Sequence, residues 1–395
     1  MAIVAVLFLL AAATTFDESY RAGLQALAQN RLSDARANLE QAAKLEAGSS
    51  RVWLALAQTY WKLQEPGKAN DAADRAAKLA AGDAPLLRLL AFYYDESGQR
   101  LKACDMQTEY AVAAPADGRG PTQALDCFLE AQAPERAILA SARGGTEWRN
   151  RADVRYLLAK AYQATRQWAL SDDEFRAAIR LNPYEESYHL EFASSLLQRH
   201  EFEQAIQVIA GGKKNFDKSP QLELELGAGY YGLRRFAEAA ASFQRTIALS
   251  PDLEEPYIVL GKMLDQVPAK LPELTRIFEA FEQAHPDNYL GYLVHAKALA
   301  QRPDSSKAAE VLLKKACLLS PQAAEPHFEL AVLEERQQRL GEAAAEFEQA
   351  ALLLPKDPAT HYHLARVYDR LGKSELAKRE RDIHKQLLDA STKAK

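Results

Sequence analysis

Residues 220–253 read PQLELELGAGYYGLRRFAEAAASFQRTIALSPDL. The apolar residues of this stretch recur with the period of a helix and lack the alternation of a strand. The pattern predicts one helix over Leu222–Gly232 and a second over Ala237–Leu249, with Gly232–Phe236 as the turn between them. Pro251 ends the second helix, because proline has no backbone N–H and cannot continue it. The stretch is therefore a helix-turn-helix unit.

Small and large residues alternate in a way that suits two crossing helices. Gly227 and Ala239 are predicted at the crossing point, because an axis separation of about 8–10 Å leaves no room for bulk. Tyr230, Phe236 and Phe243 fill the space on either side of it. We expect the two helices to pack directly against each other.

The same arrangement recurs every 34 residues along the chain. One small residue marks a fixed phase of each unit, and a ring usually follows three residues later. The small residues at this phase are Gly23, Ala57, Ala91, Ala159, Ala193 and Gly227, and the rings are Tyr60, Tyr94, Phe128, Tyr162 and Tyr230. Self-similarity at one period is typical of a solenoid of stacked units, each of which needs its neighbours to bury its apolar faces.

Counting in steps of 34 residues divides the chain into eleven units. Units begin at 16, 50, 84, 118, 152, 186, 220 and 254, and then at 289, 324 and 358 after two units that run one residue long. We predict a first array over 16–253 and a second over 254–391 with longer turns. The unit 118–151 is degenerate, because Arg149 replaces its closing proline, and both it and 254–323 are expected to be distorted. Glu375–Asp389 is predicted to be a polar capping helix.

The spacing of these residues resembles the tetratricopeptide repeat, W-x2-L-G-x2-Y followed by A-x3-F, A and P. The residues that carry it are Trp53, Leu56, Ala57 and Tyr60 in the second unit, and Leu158, Ala159, Tyr162, Ser171, Phe175, Ala178 and Pro183 in the fifth. The resemblance covers about 16–391. It implies an all-α, right-handed superhelical solenoid of about eleven units, whose first helices line a concave surface that grips an extended peptide or a partner helix.

Projecting that groove onto this chain gives a set of candidate binding residues. They combine aromatic rings with charged groups, which is the composition of a protein-binding surface. The set is Tyr20, Trp61, Arg88, Phe92, Tyr156, Lys160, Tyr231, Lys262, Lys297, Phe328 and Tyr362. The alternative for any of the rings is that it packs against its own helix.

Few features of the chain point to catalysis. Gly227–Gly232 matches G-x-G-x-x-G, but it falls inside a predicted helix and lacks the strand-to-helix turn that a dinucleotide site needs. No P-loop, G-x-S-x-G or H-E-x-x-H motif occurs in the sequence. We therefore predict no enzyme activity, no catalytic residue, no cofactor, no metal site and no small-molecule substrate.

Charge and cysteine content limit the partners and the compartment. The formal net charge is −5 over 395 residues, whereas a nucleic-acid binder needs a basic stripe. This charge argues against nucleic-acid binding. The three cysteines have no metal-ligand spacing. Cys104 and Cys127 follow each other on neighbouring helices, so they form either a disulfide, which an exported protein allows, or two independent buried thiols. Cys317 is interpreted as a core residue.

The first residues differ from the rest. Met1–Ala13 is an unbroken apolar run that is too short to span a bilayer and is followed by small residues, as in a secretory signal peptide. No basic residue precedes the run. We predict a signal segment at 1–15 and an exported protein, periplasmic or secreted. The alternative is a buried N-terminal helix in a cytoplasmic protein.

These observations predict a non-catalytic scaffold that binds a protein or peptide in a concave groove. Two alternatives remain open. One is an accessory or regulatory subunit of an envelope enzyme or of a secretion or assembly system. The other is an envelope chaperone.

Overall fold

The computed structural model describes residues 15–393, with side chains to residue 390. The predicted signal segment 1–15 therefore lies outside the described residues, apart from Thr15. The Thr15 hydroxyl accepts a hydrogen bond from the backbone N–H of Glu18, and the Glu18 carboxylate accepts one from the N–H of Thr15. This capping box starts the first helix. No described helix has the length and the apolar character that crossing a membrane requires.

All regular structure in 15–393 is helical, which confirms the predicted all-α class. Residue contacts divide the chain into two compact units, with the border between Tyr188 and His189. The first unit contains α1 (Phe16–Ala28), α2 (Leu32–Leu45), α3 (Ser50–Lys62), α4 (Pro66–Leu79), α5 (Ala84–Glu96), α6 (Arg100–Ala113), α7 (Gly120–Glu130), α8 (Pro134–Arg143), α9 (Gly145–Arg149), α10 (Ala152–Ala164) and α11 (Trp168–Leu181).

The border falls inside α12 (Glu186–Gln198). The second unit continues with α13 (Phe202–Gly212), α14 (Pro220–Gly232), α15 (Phe236–Leu249), α16 (Glu255–Lys262), α17 (Leu271–Ala284), α18 (Tyr289–Leu299), α19 (Ser306–Leu319), α20 (Ala324–Arg336), α21 (Leu340–Leu353), α22 (Pro358–Arg370) and α23 (Ser374–Lys393). The first helix of every predicted repeat begins within two residues of the position that the 34-residue count gives.

The turn within most repeats has one conformation. In the repeat of 220–253, Arg234 has a φ of 58°, and the N–H of Arg235 donates to the carbonyl of Tyr230 at 2.9 Å. Gln64 has a φ of 60° in the equivalent turn, and the N–H of Glu65 donates to the carbonyl of Tyr60. This left-handed helix end satisfies carbonyls that the helix leaves open and reverses the chain within three residues.

Packing explains why the repeat keeps its small residues and rings. A Cβ added to Gly227 would lie 2.5 Å from Cε1 of Phe243, so the crossing of α14 and α15 excludes any larger side chain. The consensus rings also join neighbouring repeats. The hydroxyl of Tyr94 donates to Asp74, twenty residues earlier, at 2.8 Å, and the hydroxyl of Tyr368 donates to Glu348 at 2.6 Å.

Two stretches depart from the regular repeat. The hairpin after α7 has a shortened second helix, α8, followed by α9, whose Trp148 is buried. In the repeat that begins near 254, α16 has only eight residues and is followed by 3-10 turns at Leu264–Gln266 and Pro268–Lys270. A further 3-10 turn occupies Pro303–Ser305. These are the regions in which the sequence lacks a closing proline or carries extra residues in a turn.

Candidate functional site

Six of the eleven predicted groove residues are open to solvent. The exposed fractions of the rings are 67% for Phe92, 50% for Tyr362, 42% for Tyr231 and 40% for Trp61. Arg88 and Lys262 are exposed as well. Trp61 meets Tyr93 edge-on at 6.4 Å between ring centroids, and Tyr231 meets Phe236 at 5.7 Å. Phe92 therefore offers the largest open ring of the set.

Two of the other predicted rings are engaged within the protein. Tyr156 stacks on Tyr188, with centroids 4.9 Å apart, and meets the ring of Phe175 edge-on. Phe328 contacts Phe347 and His363 at 5.6 and 5.4 Å. Each of these two rings is partly exposed and has an aromatic neighbour within the protein, which is the packing alternative that the sequence left open; their place in the groove stays a prediction.

The three remaining positions are partly buried. Tyr20 stacks on Phe16 at 5.8 Å, and the ammonium of Lys160 lies 5.3 Å from the ring centroid of Tyr156. The side chain of Lys297 is only 13% exposed, and its Nζ lies 2.9 Å from Glu325 and 2.8 Å from Glu329. Lys297 is therefore part of an internal ion-pair cluster and is not an open groove cation.

A pocket of about 540 Å³ surrounds Phe92. We call it the Phe92 pocket. It is formed by α5, the face of α6 that carries Gln107 and Tyr110, the turn before α7, and α7 itself. Its lining includes Arg88, Phe92, Gln107, Asp117, Arg119 and Asp126. The sequence predicted Arg88 and Phe92 because they lie on a first helix, but it missed Gln107 and Arg119, which come from a second helix and a turn.

Part of the charge in the Phe92 pocket is neutralised internally. Tyr110 donates its hydroxyl to Asp117 at 2.8 Å, and this hydrogen bond is the main cause that lowers the pKa of Asp117. Arg100 donates to Asp95 and Glu130, at 2.6 Å each. These contacts hold the three helices and the turn of the pocket in place.

Other groups of the pocket are left open. Neither guanidinium of Arg88 and Arg119 lies within ion-pair distance of a described carboxylate, although both help to lower the pKa of Asp117 and Arg88 also interacts with the hydroxyl of Tyr110. The side-chain oxygen of Gln107 is buried without a hydrogen-bond partner. Burial, helped by the nearby Glu130, raises the pKa of the Asp126 carboxyl. A buried acceptor without a donor costs free energy.

A disulfide borders this pocket. The structure joins Cys104 of α6 to Cys127 of α7, with Cα atoms 5.5 Å apart, and Cys127 lines the pocket. Of the two arrangements that the sequence left open, the structure has the bridge. The bridge fixes the spacing between a second helix and the first helix of the next repeat.

A smaller pocket of about 230 Å³ lies in the second unit. We call it the Lys297 pocket, and it is lined by Lys262, Asp265, Lys297, Glu329 and Arg336 among others. Burial disfavours the charged form of Lys297, but the carboxylates of Glu329 and Glu325 outweigh this and raise its pKa. The cation therefore remains charged and paired.

A comparison of the sequence with models of known protein families agrees with this architecture. Residues 20–84 and 293–359 match the model of the tetratricopeptide repeat family. One match lies in each compact unit, and the 34-residue register links them. The chain therefore contains tetratricopeptide repeats, as the sequence predicts. Proteins of this family are generally non-catalytic scaffolds for protein–protein interaction.

Solved structures with a similar arrangement share little sequence with this chain. Yeast Tom70 is 15% identical over 96% of this chain and 94% of that chain, with a TM-score of 0.43. The C-terminal part of a repeat protein from Cytophaga hutchinsonii is 15% identical over 69% and 98%, with a TM-score of 0.45. Cut9 in the APC/C hetero-tetramer Cut9–Hcn1 is 14% identical over 95% and 88%, with a TM-score of 0.41. No curated protein sequence matches significantly.

Proposed function

We propose that this chain is a scaffold that captures an extended segment of a partner protein in the Phe92 pocket. The observation that carries the proposal is the ring of Phe92, which is two-thirds exposed at the mouth of a cavity of about 540 Å³. An exposed ring beside a concave surface is the usual anchor of a protein interface. Removing such an anchor typically costs about 2 kcal/mol or more of binding free energy.

The open polar groups define the chemistry of the partner. Arg88 and Arg119 suit a carboxylate, because guanidinium groups pair with carboxylates in a planar fork. The segment that fits best therefore carries an apolar side chain for Phe92 and an acidic side chain, or a C-terminal carboxylate, for the two arginines.

A selection from a peptide library tests this proposal and needs no identified partner. The full chain, with its disulfide intact, is used to select displayed random peptides, and the Phe92→Ala variant is used in parallel. We expect enriched peptides that combine acidic and apolar residues and lose at least thirtyfold in affinity for the variant.

A charge-reversed variant tests the polar part of the site. Arg88→Glu combined with Arg119→Glu should reject the acidic peptides and favour basic ones. The matched control is Tyr184→Ala, an exposed ring in a turn outside the pocket, which should leave binding unchanged. Peptides that bind both pocket variants as well as the unchanged chain would place the binding surface elsewhere.

We also propose that the chain functions in an oxidising compartment after export. The Cys104–Cys127 disulfide supports this, because such bonds persist outside the reducing cytosol. Protein purified from its native host under thiol-blocking conditions should contain the bridge and lack the residues from Met1 to about Thr15. Recovery of intact Met1 together with two free thiols at these positions would contradict it.

A further inference from the structure

Three metal-ligating side chains converge in the second unit, away from both pockets. Cys317 on α19, His327 on α20 and Glu346 on α21 each place one ligand atom so that all three lie within 4.8 Å of one another. Nδ1 of His327 is 2.6 Å from Oε2 of Glu346. All three side chains are half-buried, so they are shielded and still reachable from solvent.

The next repeat contains the same arrangement without the cysteine. Nδ1 of His361 is 2.6 Å from Oε2 of Glu380, and the two residues are 19 apart, as His327 and Glu346 are. Cys317 is the twelfth residue of its second helix, and the twelfth residue of the next second helix is Ala351. The histidine–glutamate pair is thus a recurrent feature, and the thiol is what distinguishes one copy.

The two histidines also differ in their second ring nitrogen. Nε2 of His361 lies 3.1 Å from the carbonyl of Pro355, so both of its nitrogens are used. For His327, the described residues provide a contact to Nδ1 alone. His361 is therefore held as a packing residue, whereas His327 keeps the freedom to reorient toward a ligand.

The donor set suits one kind of ion. Thiolate, imidazole and carboxylate are the ligands that Zn²⁺ takes in proteins, and an ion with three protein ligands keeps a fourth position for water. The two negative ligands balance the charge of a divalent cation. A tetrahedral ion requires nitrogen and oxygen ligands about 3.4 Å apart, so the His327–Glu346 pair opens by less than 1 Å to admit it.

A catalytic nucleophile is the competing interpretation of a cysteine beside a histidine and a carboxylate. Burial, followed by the charges of Glu346 and Glu334, raises the pKa of the Cys317 thiol to about 12. Reactive cysteines have the opposite shift, since the thiolate is the nucleophile.

We propose that Cys317, His327 and Glu346 form a binding site for a divalent metal ion of the zinc type. Its ligands come from three consecutive helices that belong to two neighbouring repeats. A bound ion therefore cross-links these two repeats. Because the ion binds only where the three helices are assembled, it should stabilise the second unit in proportion to its free concentration.

Cobalt and zinc titrations of the full chain test this site. The chain is stripped with a chelator, freed of any affinity tag and kept unreduced, so that Cys317 is the free thiol. We expect one equivalent of Co²⁺ to produce a sulfur-to-cobalt charge-transfer band and Zn²⁺ to displace it. Zn²⁺ should also raise the melting temperature of the second unit by several degrees.

Two variants decide between this site and adventitious binding. Cys317→Ala reproduces the residue that the next repeat has at the same position, so it should fold, lose the cobalt band and bind Zn²⁺ at least a hundredfold more weakly. Glu380→Gln breaks the sister pair and should leave both readouts unchanged. Absence of the cobalt band in the unchanged chain, or equal zinc affinity of the chain and Cys317→Ala, overturns the proposal.

Discussion

The Phe92 pocket and the Lys297 pocket are both lined by first-helix residues, yet they use charge in opposite ways. Lys297 lies between two carboxylates of its own chain, at 2.9 and 2.8 Å. In the Phe92 pocket, neither guanidinium of Arg88 and Arg119 lies within ion-pair distance of a described carboxylate, and both act on Asp117 only at longer range. A groove position is therefore structural where the next helix offers a complementary group, and it stays available for binding where the next helix offers none.

The largest expected effect comes from opening the bridge beside the Phe92 pocket. Replacing Cys104 and Cys127 by alanine should destabilise the first unit by about 3 kcal/mol, because the bridge restricts the unfolded chain over a separation of 23 residues. Differential scanning calorimetry should show the loss in the transition of the first unit only. The second unit, which contains Cys317 as a free thiol, is the internal control. Equal melting with and without reductant would contradict this prediction.

Breaking the Lys297 cluster should have the next largest effect on stability and none on peptide capture. Lys297→Met leaves the carboxylates of Glu325 and Glu329 facing each other without a cation, at an expected cost of about 2–3 kcal/mol to the second unit. Lys262→Met is the matched control, because this exposed lysine lines the same pocket. Urea unfolding measures both. If Lys297→Met were as stable as the control, the cluster would be a surface ion pair of little weight.

The sequence predicted the fold in most of its detail because packing enforces the repeat. A larger residue at position 227 would displace Phe243, and the left-handed turn at Arg234 reverses the chain at a fixed point of the repeat. A count in steps of 34 residues therefore finds the starts of the helices. The stretch after Glu254 is where the count is less informative. There α16 ends early and 3-10 turns follow, a local rearrangement that periodicity does not encode.

The site was predicted only in part, for a physical reason. Sequence phase places Phe92 and Tyr156 on equivalent faces of first helices, but it does not say what the following repeat sets against them. Tyr188 covers Tyr156, and nothing comparable covers Phe92. The remaining features of the candidate sites depend on contacts between repeats. The Cys104–Cys127 bridge and the meeting of Cys317 with His327 depend on distances across helices, for which the sequence shows no spacing signal.

Removing the open ring should affect binding and leave stability unchanged. Phe92→Ala should lose about 2 kcal/mol of binding free energy for a selected peptide, with a melting temperature within a degree or so of the unchanged chain, because the ring is two-thirds exposed. Tyr156→Ala is the contrasting variant. Its ring stacks on Tyr188, so it should lose stability and affect binding only through unfolding. Calorimetric titration measures the affinity of the two variants, and thermal melting measures their stability. Loss of stability in Phe92→Ala together with loss of affinity alone in Tyr156→Ala would mean that Tyr156, and not Phe92, is the binding ring.

Trp61 tests how far the binding surface extends along the first unit. Its ring is about two-fifths exposed and meets one neighbouring ring edge-on, so it should contribute less to binding than Phe92 does. We expect Trp61→Ala to weaken a selected peptide by a few-fold if the peptide reaches beyond α5, with little change in melting temperature. Loss of stability without loss of affinity in this variant would identify the ring as a packing residue.

The smallest expected effect is a pH dependence confined to the second unit. The side chain of Glu334 is nearly inaccessible, its Oε2 has no hydrogen-bond partner, and its closest cation, Nη1 of Arg339, is 3.9 Å away. Burial raises the pKa of Glu334 to about 7 from its ordinary value of 4.5, although Arg339 opposes the shift. Because the folded state holds this proton more tightly than the unfolded state, stability falls as the pH rises from about 4.5 to about 7 and stays lower above that range.

Glu334→Gln removes the ionisation, so it should stabilise the second unit at pH 8 by about 1 kcal/mol and by clearly less at pH 5. The full pKa difference corresponds to about 3 kcal/mol, and we expect less because the buried amide of the glutamine also lacks a full set of hydrogen-bond partners. Glu342→Gln is the matched control, since Glu342 pairs with the same arginine at 2.6 Å but is exposed. Urea unfolding at both pH values provides the measurement. An equal gain at pH 5 and pH 8 would mean that the carboxyl of Glu334 does not titrate in this range and would contradict the prediction.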